Sequence, residues 1–557
     1  MKFKKTSLAL ILAVSMLFVY AQVPVIKWQN TIGGTGNDSL VSIMPTADGG
    51  FIISGQSNSN ISGSKTQNSY GSYDYWVVKI TGKGKIAWNK TIGGSGIDKN
   101  PYIITTLDGG YLLGGTSISD ISGNKTEDAI NQSNDYWVLK LDRNGNVQWN
   151  NTIGAIQTEK LAGLVQEKDS TYRIAGISYT NFAGSDKTAD NMGSSIWSDY
   201  WLVKLDKNGV VAGDYLYGGQ NSDVVTCIKP AKDSGYILGG YSYSKKDGNK
   251  SQNFLGNNDY WIVRIDPSGN KKWDKTIGGI RSDYETDIQQ TFDRGYILAG
   301  YSNSTVSFNK TAGWKGVTDY WLVKTDSVGA VKWDKTFGGT LGDYLRSVQQ
   351  TTDSGYIIGG SSNSNISSDK SENSKGLDDY WIMKLDKNGN KLWDKTIGGS
   401  GNDRLSVVKE ISNGEYILAG TSNSTASGDK TKKTVGNNGI SDYWIVRLTS
   451  SPSAKNREKR TSQESPAATA VQLNIEKLTM QASPNPAKEY VTITYSGMQD
   501  KKISLMVYDS NGKTILNKVL ETGKNIFTFN ISQQPAGVYY VVITSGKSSV
   551  TRIIVKE

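Results

Sequence analysis

Seven acids recur at one place along this chain. They are Asp38, Asp98, Glu159, Asp223, Asp283, Asp343 and Asp403, each five residues after the first glycine of a Gly-Gly or Gly-Ala pair. Seven lysines recur as well, each before Thr or Ser: Lys65, Lys125, Lys187, Lys250, Lys310, Lys370 and Lys430. A ring of carboxylates is a donor set for a hard cation such as calcium. The local alternative is that each acid caps its own loop or pairs with a neighbouring lysine. A feature present seven times reads as scaffold, so no metal ligand is assigned, and calcium is the one cofactor the pattern allows. Two carboxylates can hydrolyse a glycoside unaided, but in this reading none departs from the repeat and no catalytic residue is assigned. The chain has no His, which removes Ser-His-Asp and Cys-His catalysis and His-ligated zinc. The single Cys227 forbids an intrachain disulfide and reads as a small buried apolar side chain.

Thirteen of the 15 tryptophans also repeat. Seven follow Asp-Tyr, in triplets that begin at Asp74, Asp135, Asp199, Asp259, Asp319, Asp379 and Asp442, spaced 61, 64, 60, 60, 60 and 63 residues apart. Such a period calls for one supersecondary unit per repeat. One unit holds four Tyr-, Ile-, Val- and Trp-rich stretches, Leu345–Thr351, Gly355–Ser361, Asp379–Leu385 and Lys391–Ile397, called strands a, b, c and d. Turns such as Asp353-Ser354-Gly355 join a to b. Four antiparallel strands per repeat predict an all-β fold, a seven-bladed β-propeller over residues 22–448. The region opens on a d-like strand, Val25–Ile32, and ends on a c strand, Asp442–Leu448. The orphan first strand then completes the last blade, leaving no free sheet edge.

A residue needed once per blade packs blade on blade. Trp28, Trp88, Trp149, Trp273, Trp333 and Trp393 sit in strand d, and Gly213 replaces the expected Trp in the third blade, predicting a poorer interface there. The repeat resembles the propeller units of secreted bacterial proteins. The stretch Leu385-Asp386-Lys387-Asn388-Gly389-Asn390-Lys391-Leu392-Trp393 is similar to the tryptophan-docking motif of pyrroloquinoline-quinone propellers, which implies packing and not the cofactor.

In an antiparallel blade the a–b and c–d turns share one face, and the longer b–c and d–a loops share the other, where function usually sits. Trp197 and Trp314 fall outside the repeat, in the b–c loops of blades three and five, with Phe254 in that of blade four. Exposed aromatics on Ser-, Asn- and Lys-rich loops either bind or anchor their own loop. These three are the candidate ligand-binding residues.

The chain ends look like addresses. Lys2, Lys4 and Lys5, then an apolar Leu8–Tyr20, then Val19 and Ala21 before Gln22 form a signal peptide over residues 1–21, cut between Ala21 and Gln22. Without it the net charge of +10 falls to +7, with no basic stripe for nucleic acid and no transmembrane segment. Residues 449–473 are polar and read as a linker. Residues 474–557 predict a small β-sandwich of Ig-like size, with strands at Tyr490–Tyr495, Ile503–Tyr508, Asn525–Ile531, Val538–Thr544 and Val550–Val555. Ser483-Pro484-Asn485-Pro486, Val507 to Lys513 with Gly512, Pro535-Ala536-Gly537-Val538-Tyr539-Tyr540, and Arg552 to Lys556 follow in order. Together they resemble the type A C-terminal sorting domain of the type IX secretion system. That resemblance implies a Bacteroidetes-type bacterium, the type IX machinery as partner, and passage through the periplasm to the medium or outer cell surface. The functional expectation is a secreted binding protein for an extracellular glycan or protein. The alternatives are a glycan-acting hydrolase and a structural surface component.

Overall fold

The computed structural model describes residues 23–193, 196–437, 439–449, 479–483, 487–496, 503–509, 514–520, 526–545 and 548–557. The signal segment with Ala21 and Gln22, the linker beyond Thr449, and Pro484, Asn485, Pro486 and Gly512 lie outside the described residues. The chain divides into two compact units between Ser453 and Ala454.

The first unit is a seven-bladed propeller. Seven four-stranded antiparallel sheets follow one another. In blade six strands a to d are Asp343–Gln350, Tyr356–Ser362, Asp379–Leu385 and Lys391–Ile397. The seventh sheet is Asp403–Ser412, Glu415–Ser422 and Asp442–Thr449, and the N-terminal Val25–Ile32 pairs antiparallel with the last of these. The ring is closed by the chain's first strand.

The Asp-Tyr-Trp triplet explains the ring. In the middle strand of each blade the Tyr and Trp side chains are fully buried. Each Tyr ring lies tilted against the Trp of the next blade, from Tyr75–Trp137 at 5.2 Å to Tyr380–Trp444 at 5.0 Å. Tyr443 returns to Trp76 at 4.9 Å and its hydroxyl donates to the Trp76 carbonyl, 3.2 Å away. Each indole N–H is answered within its own blade: Trp76 by Asn89, Trp261 by Asp274 and Trp381 by Asp394, at 3.0–3.1 Å. In blade seven the acceptor is Gln29 of the N-terminal strand, 3.1 Å from Trp444 Nε1. Aromatic pairs of this kind add about 1 kcal/mol beyond the area they bury.

The outer tryptophans dock on the following blade. Trp88 lies against the c–d turn of blade two at Gly145, where φ is +80° and a Cβ would fall 2.7 Å from the indole. Only glycine meets both demands. The interface after blade three is filled by other side chains than the Trp that Gly213 replaces, although Gly213 itself has open space beside it. Gly213 pairs with Lys204, where the other blades place Trp. Tyr215, two residues on and so on the same face, covers Gly269 instead. Tyr217 donates to the Gly269 carbonyl. Arg173, in the place of an Ile or Leu, fills the remaining space over Tyr215 and Tyr236 and pairs with Glu167 at 2.7 Å.

The second unit is a β-sandwich of two sheets. One holds Thr479–Ser483, Tyr490–Ser496 and Ile526–Asn530; the other holds Thr514–Leu520, Ile503–Asp509, Gly537–Ser545 and Ser548–Lys556. Thr479–Ser483 and Thr514–Leu520 were not expected as strands. Met480, Val491, Ile493, Leu505, Val541 and Ile554 share its core. Tyr539 of the sorting motif is buried there and donates to the Pro535 carbonyl at 2.6 Å, while Gly537 opens the strand Gly537–Ser545.

Candidate functional site

The a strands of all seven blades line one central cavity of 1410 Å³. Every a strand carries a register shift after its third residue or close to it, as between Leu40 and Ser42 or Glu285 and Asp287. Such a bulge re-aims the side chains that follow. It turns the seventh residue of the strand to the channel: Met44, Ile104, Val165, Lys229, Gln289, Gln349 and Lys409 all line it. The wall is uneven. Blades one to three supply apolar side chains at that level, and blades four to seven supply polar ones.

The uneven side continues to the channel mouth on the long-loop face. Tyr284 and Tyr344 are second in their a strands, where the other blades have Ser, Lys, Val or Arg. Tyr241 and Tyr301 are sixth in their b strands, and Tyr243 follows one residue after its strand. They form a continuous half-buried arc. Tyr241 meets Tyr284 at 5.0 Å, Tyr284 stacks on Tyr301 at 5.1 Å, and Tyr301 meets Tyr344 edge-on at 5.3 Å. Tyr241 also meets Tyr243 at 6.1 Å. The Arg346 guanidinium lies over Tyr301, 5.7 Å from its centroid. Partial burial pushes the Tyr241 hydroxyl up to about 12, so it keeps its proton at physiological pH. This site was missed in sequence. The signal was present as two tyrosines each at two repeat positions, but which positions face the channel is set by the bulge.

One carboxyl does break the repeat. Glu285 stands where blades one, three, six and seven have Leu, fully buried between blades four and five. Burial pushes it up to about 8. Its Oε2 lies 2.6 Å from Thr226 Oγ1, and that hydroxyl is 3.1 Å from the Gly239 carbonyl. A protonated Glu285 donates to Thr226, which donates onward to Gly239, leaving each proton one acceptor. Cys227 is buried as expected, 3.9 Å from Glu285, and burial raises its thiol. This group ties two blades together; Thr226 and Cys227 line the channel, and Glu285 stands behind them.

The seven repeated acids are buried loop caps. Asp38 Oδ2 accepts from the Gly34 N–H at 2.7 Å and the Ser59 hydroxyl at 3.1 Å, and the other six accept from the corresponding glycine or alanine N–H. The triplet aspartates cap the b–c loops, as Asp74 does for the Tyr70 N–H at 2.8 Å. Each repeated lysine is buried beside them, with Lys65 Nζ donating to Ser57 Oγ, the Ser59 carbonyl and Ser69 Oγ. Among the described residues no cluster of three or more Cys, Asp or Glu is arranged to hold a metal ion.

These rings give the propeller an unusual pH dependence. Burial pushes Asp98, Asp223, Asp319 and Asp379 up to about 6, and Asp135, Asp259 and Asp442 to about 7. The folded state therefore holds more protons than the unfolded one from about pH 4 to 7, and stability falls as pH rises through that window. Lys65, Lys250, Lys310 and Lys370, lowered to about 8 by burial, are charged in both states there and add no slope. Glu415, held near 2 by its hydrogen bond from Lys27, loses its contribution only below its unfolded value. The melting temperature is expected to rise by several degrees from pH 7 to pH 5. A flat or falling profile in differential scanning calorimetry would contradict this.

The three aromatics picked from sequence sit on the same long-loop face. Trp197 is 39% and Trp314 46% exposed, and Phe254 is half-buried. The Arg281 guanidinium covers Trp314 at 5.9 Å, and the Trp197 carbonyl accepts from Asn191 Nδ2 at 3.4 Å. Among the described residues no ring contact joins the three. Four b–c loops also present an exposed apolar side chain at one repeat position, Ile61, Ile121, Val306 and Ile366, and blade three presents Phe182 one residue earlier.

Residues 482–557 match the family described as the secretion system C-terminal sorting domain. That is the type IX domain, so the chain is a β-propeller protein sent out to the medium or outer surface by that machinery. No helix among the described residues is long and apolar enough to cross a membrane. No curated protein matches the chain. Among solved structures, the WD40 domain of Neurospora crassa Pan2 is similar at 11% identity and a TM-score of 0.40, covering 75% of this chain and 95% of that one. A mutant of Synechocystis apocarotenoid oxygenase is similar at 10% identity and 0.37, covering 74% and 97%. Sqt1 from Chaetomium thermophilum is similar at 8% and 0.35, covering 77% and 100%. None of these likenesses bears on activity.

Proposed function

We propose that this exported seven-bladed propeller is a binding protein for an extracellular glycan, held at the channel mouth on the long-loop face. The observation that carries the reading is the tyrosine arc of Tyr241, Tyr243, Tyr284, Tyr301 and Tyr344, whose rings come from blades four to six and not from every blade. A packing residue would recur in every blade, as the triplet tryptophans do. Flat rings with hydroxyl rims suit the apolar faces and hydroxyl edges of sugars. Their half-burial leaves them pre-ordered at low entropic cost. Trp197, Phe254 and Trp314 form the outer rim in this reading, where a long polymer would cross the face.

A panel of immobilised polysaccharides, read for binding and for reducing-end release, tests it. The Tyr284→Ala, Tyr301→Ala double variant is expected to lose about 2 kcal/mol or more of binding, roughly thirtyfold. The Trp197→Ala, Trp314→Ala double variant is expected to weaken binding to long polymers while melting with the parent. Binding unchanged in both would remove the long-loop face as the site. Reducing ends released in step with binding would move the reading to a hydrolase.

A further inference from the structure

The channel carries cations that the fold leaves unpaired. Of its lining acids, Glu167 pairs with Arg173, Asp287 with Lys229 at 2.9 Å, and Asp378 with Arg404 at 2.8 Å. Arg346 and Lys409 line the same cavity, and among the described residues neither has an ion pair. The Lys409 ammonium has one hydrogen-bond partner there, the Met44 thioether sulfur at 3.0 Å. A thioether is a weak acceptor. Burial, helped by the like charge of Lys229, pulls Lys409 down to about 8 against the attraction of Asp287, which is itself paired with Lys229. Two sequence-independent routes to relief exist for such a group, an acid in the wall or an anion from outside, and the wall has spent its acids.

Position along the strand sets the reach. Tyr284 and Tyr344 are second, Arg346 is fourth and Lys409 is seventh in their respective a strands. At ~3.3 Å per residue, the column from tyrosine arc to Lys409 spans ~16 Å. That is the length of a few sugar rings. Arg346 lies over Tyr301, so its fork reaches the edge of any ring stacked on the arc.

From this arrangement we infer that the glycan is an acidic one, a chain bearing carboxylate or sulfate groups, whose rings stack on the tyrosine arc while its anionic substituents meet Arg346 at the mouth and Lys409 within the channel. The inference rests on the glycan reading and narrows it to a charge class. Arg346 suits a planar, two-point contact with a carboxylate or sulfate, and Lys409 a point charge. The tyrosines supply stacking that does not distinguish charge, so discrimination falls to these two residues.

The test uses the full chain and two matched polymer pairs at physiological salt: polygalacturonate with its fully methyl-esterified form, and dextran sulfate with dextran. The expected result is binding to one or both acidic members and at least tenfold weaker binding to their neutral partners. The pair that discriminates tells carboxylate from sulfate. Arg346→Gln and Lys409→Met are each expected to weaken binding to the acidic polymer at least tenfold, with melting temperatures at or above that of the parent. Equal binding to charged and neutral members, still abolished by Tyr284→Ala with Tyr301→Ala, would overturn the charge inference and leave the glycan reading standing. Acidic binding that both cation variants retain would also overturn it. No binding to any neutral or acidic polymer would overturn both.

Discussion

A chain lacking Val25–Ile32 is expected to yield no stable propeller. The loss is larger than one peripheral strand suggests. Ile32 is fully buried in the core shared by blades one and seven. Trp28 covers Gly84 in the c–d turn of blade one, so the seam between first and last blades would open. Trp444 would keep its buried indole N–H without the Gln29 acceptor, which costs about 1–3 kcal/mol alone. Adding the buried side chains brings the loss to more than about 5 kcal/mol, which consumes the stability of an ordinary domain. The exposed edge would then be Asp442–Thr449, apolar and already in strand form, a template for aggregation. Soluble yield and near-ultraviolet circular dichroism measure the effect, and a synthetic peptide of residues 23–33 added in trans should restore part of both. Gln29→Ala is the graded version, costing only the orphaned N–H. A truncated chain that melts with the parent would show that the ring is not closed through this strand.

How far the sequence reaches is clear from the same residues. The Asp-Tyr-Trp triplet is legible because it does one job seven times, and a single chain then serves as its own alignment. The closing strand is legible for a related reason: a d strand at the start and a missing d strand at the end are two halves of one blade. Gly213 misleads because a strand can refill a lost ring from the residue two places on, and Tyr215 together with Arg173 does so. Neither substitution says so alone. The channel site is harder still. Strand a reads as alternating, and the bulge within it changes which residues face the channel, so Arg346 and Lys409 look like any exposed cations. Glu285 was readable as a carboxyl in a leucine column, and reading the columns of strand a one by one exposes it. The tyrosine arc needs two columns from two strands superposed, which only the blade geometry supplies. In the second unit Thr514–Leu520 alternates weakly, with three of its last four residues exposed, and offers little pattern to read.

The second large effect concerns export. Deleting residues 474–557 is expected to leave the propeller in the periplasm, folded and with its melting temperature unchanged. Both halves follow from the division of the chain. The sorting family covers residues 482–557, and the compact unit that contains them begins at Ala454. The sandwich keeps its own core, from Met480 to Ile554, and the propeller closes with residues no later than Thr449. No blade therefore borrows a strand from the segment removed, and stability should not move. Export should fall to background, because the propeller carries no second copy of the motif. A fusion of residues 449–557 to an unrelated periplasmic protein should then leave the cell, provided that protein enters the periplasm first. The exported form is expected to start at Gln22 and to end within the 449–473 linker, which mass spectrometry of the medium and outer surface can read. If the truncated propeller reached the medium at the parent's level, the sandwich would be a structural module and the address would lie elsewhere. If the truncated chain were instead degraded in the periplasm, its purified propeller would still have to melt with the parent for the two units to count as independent.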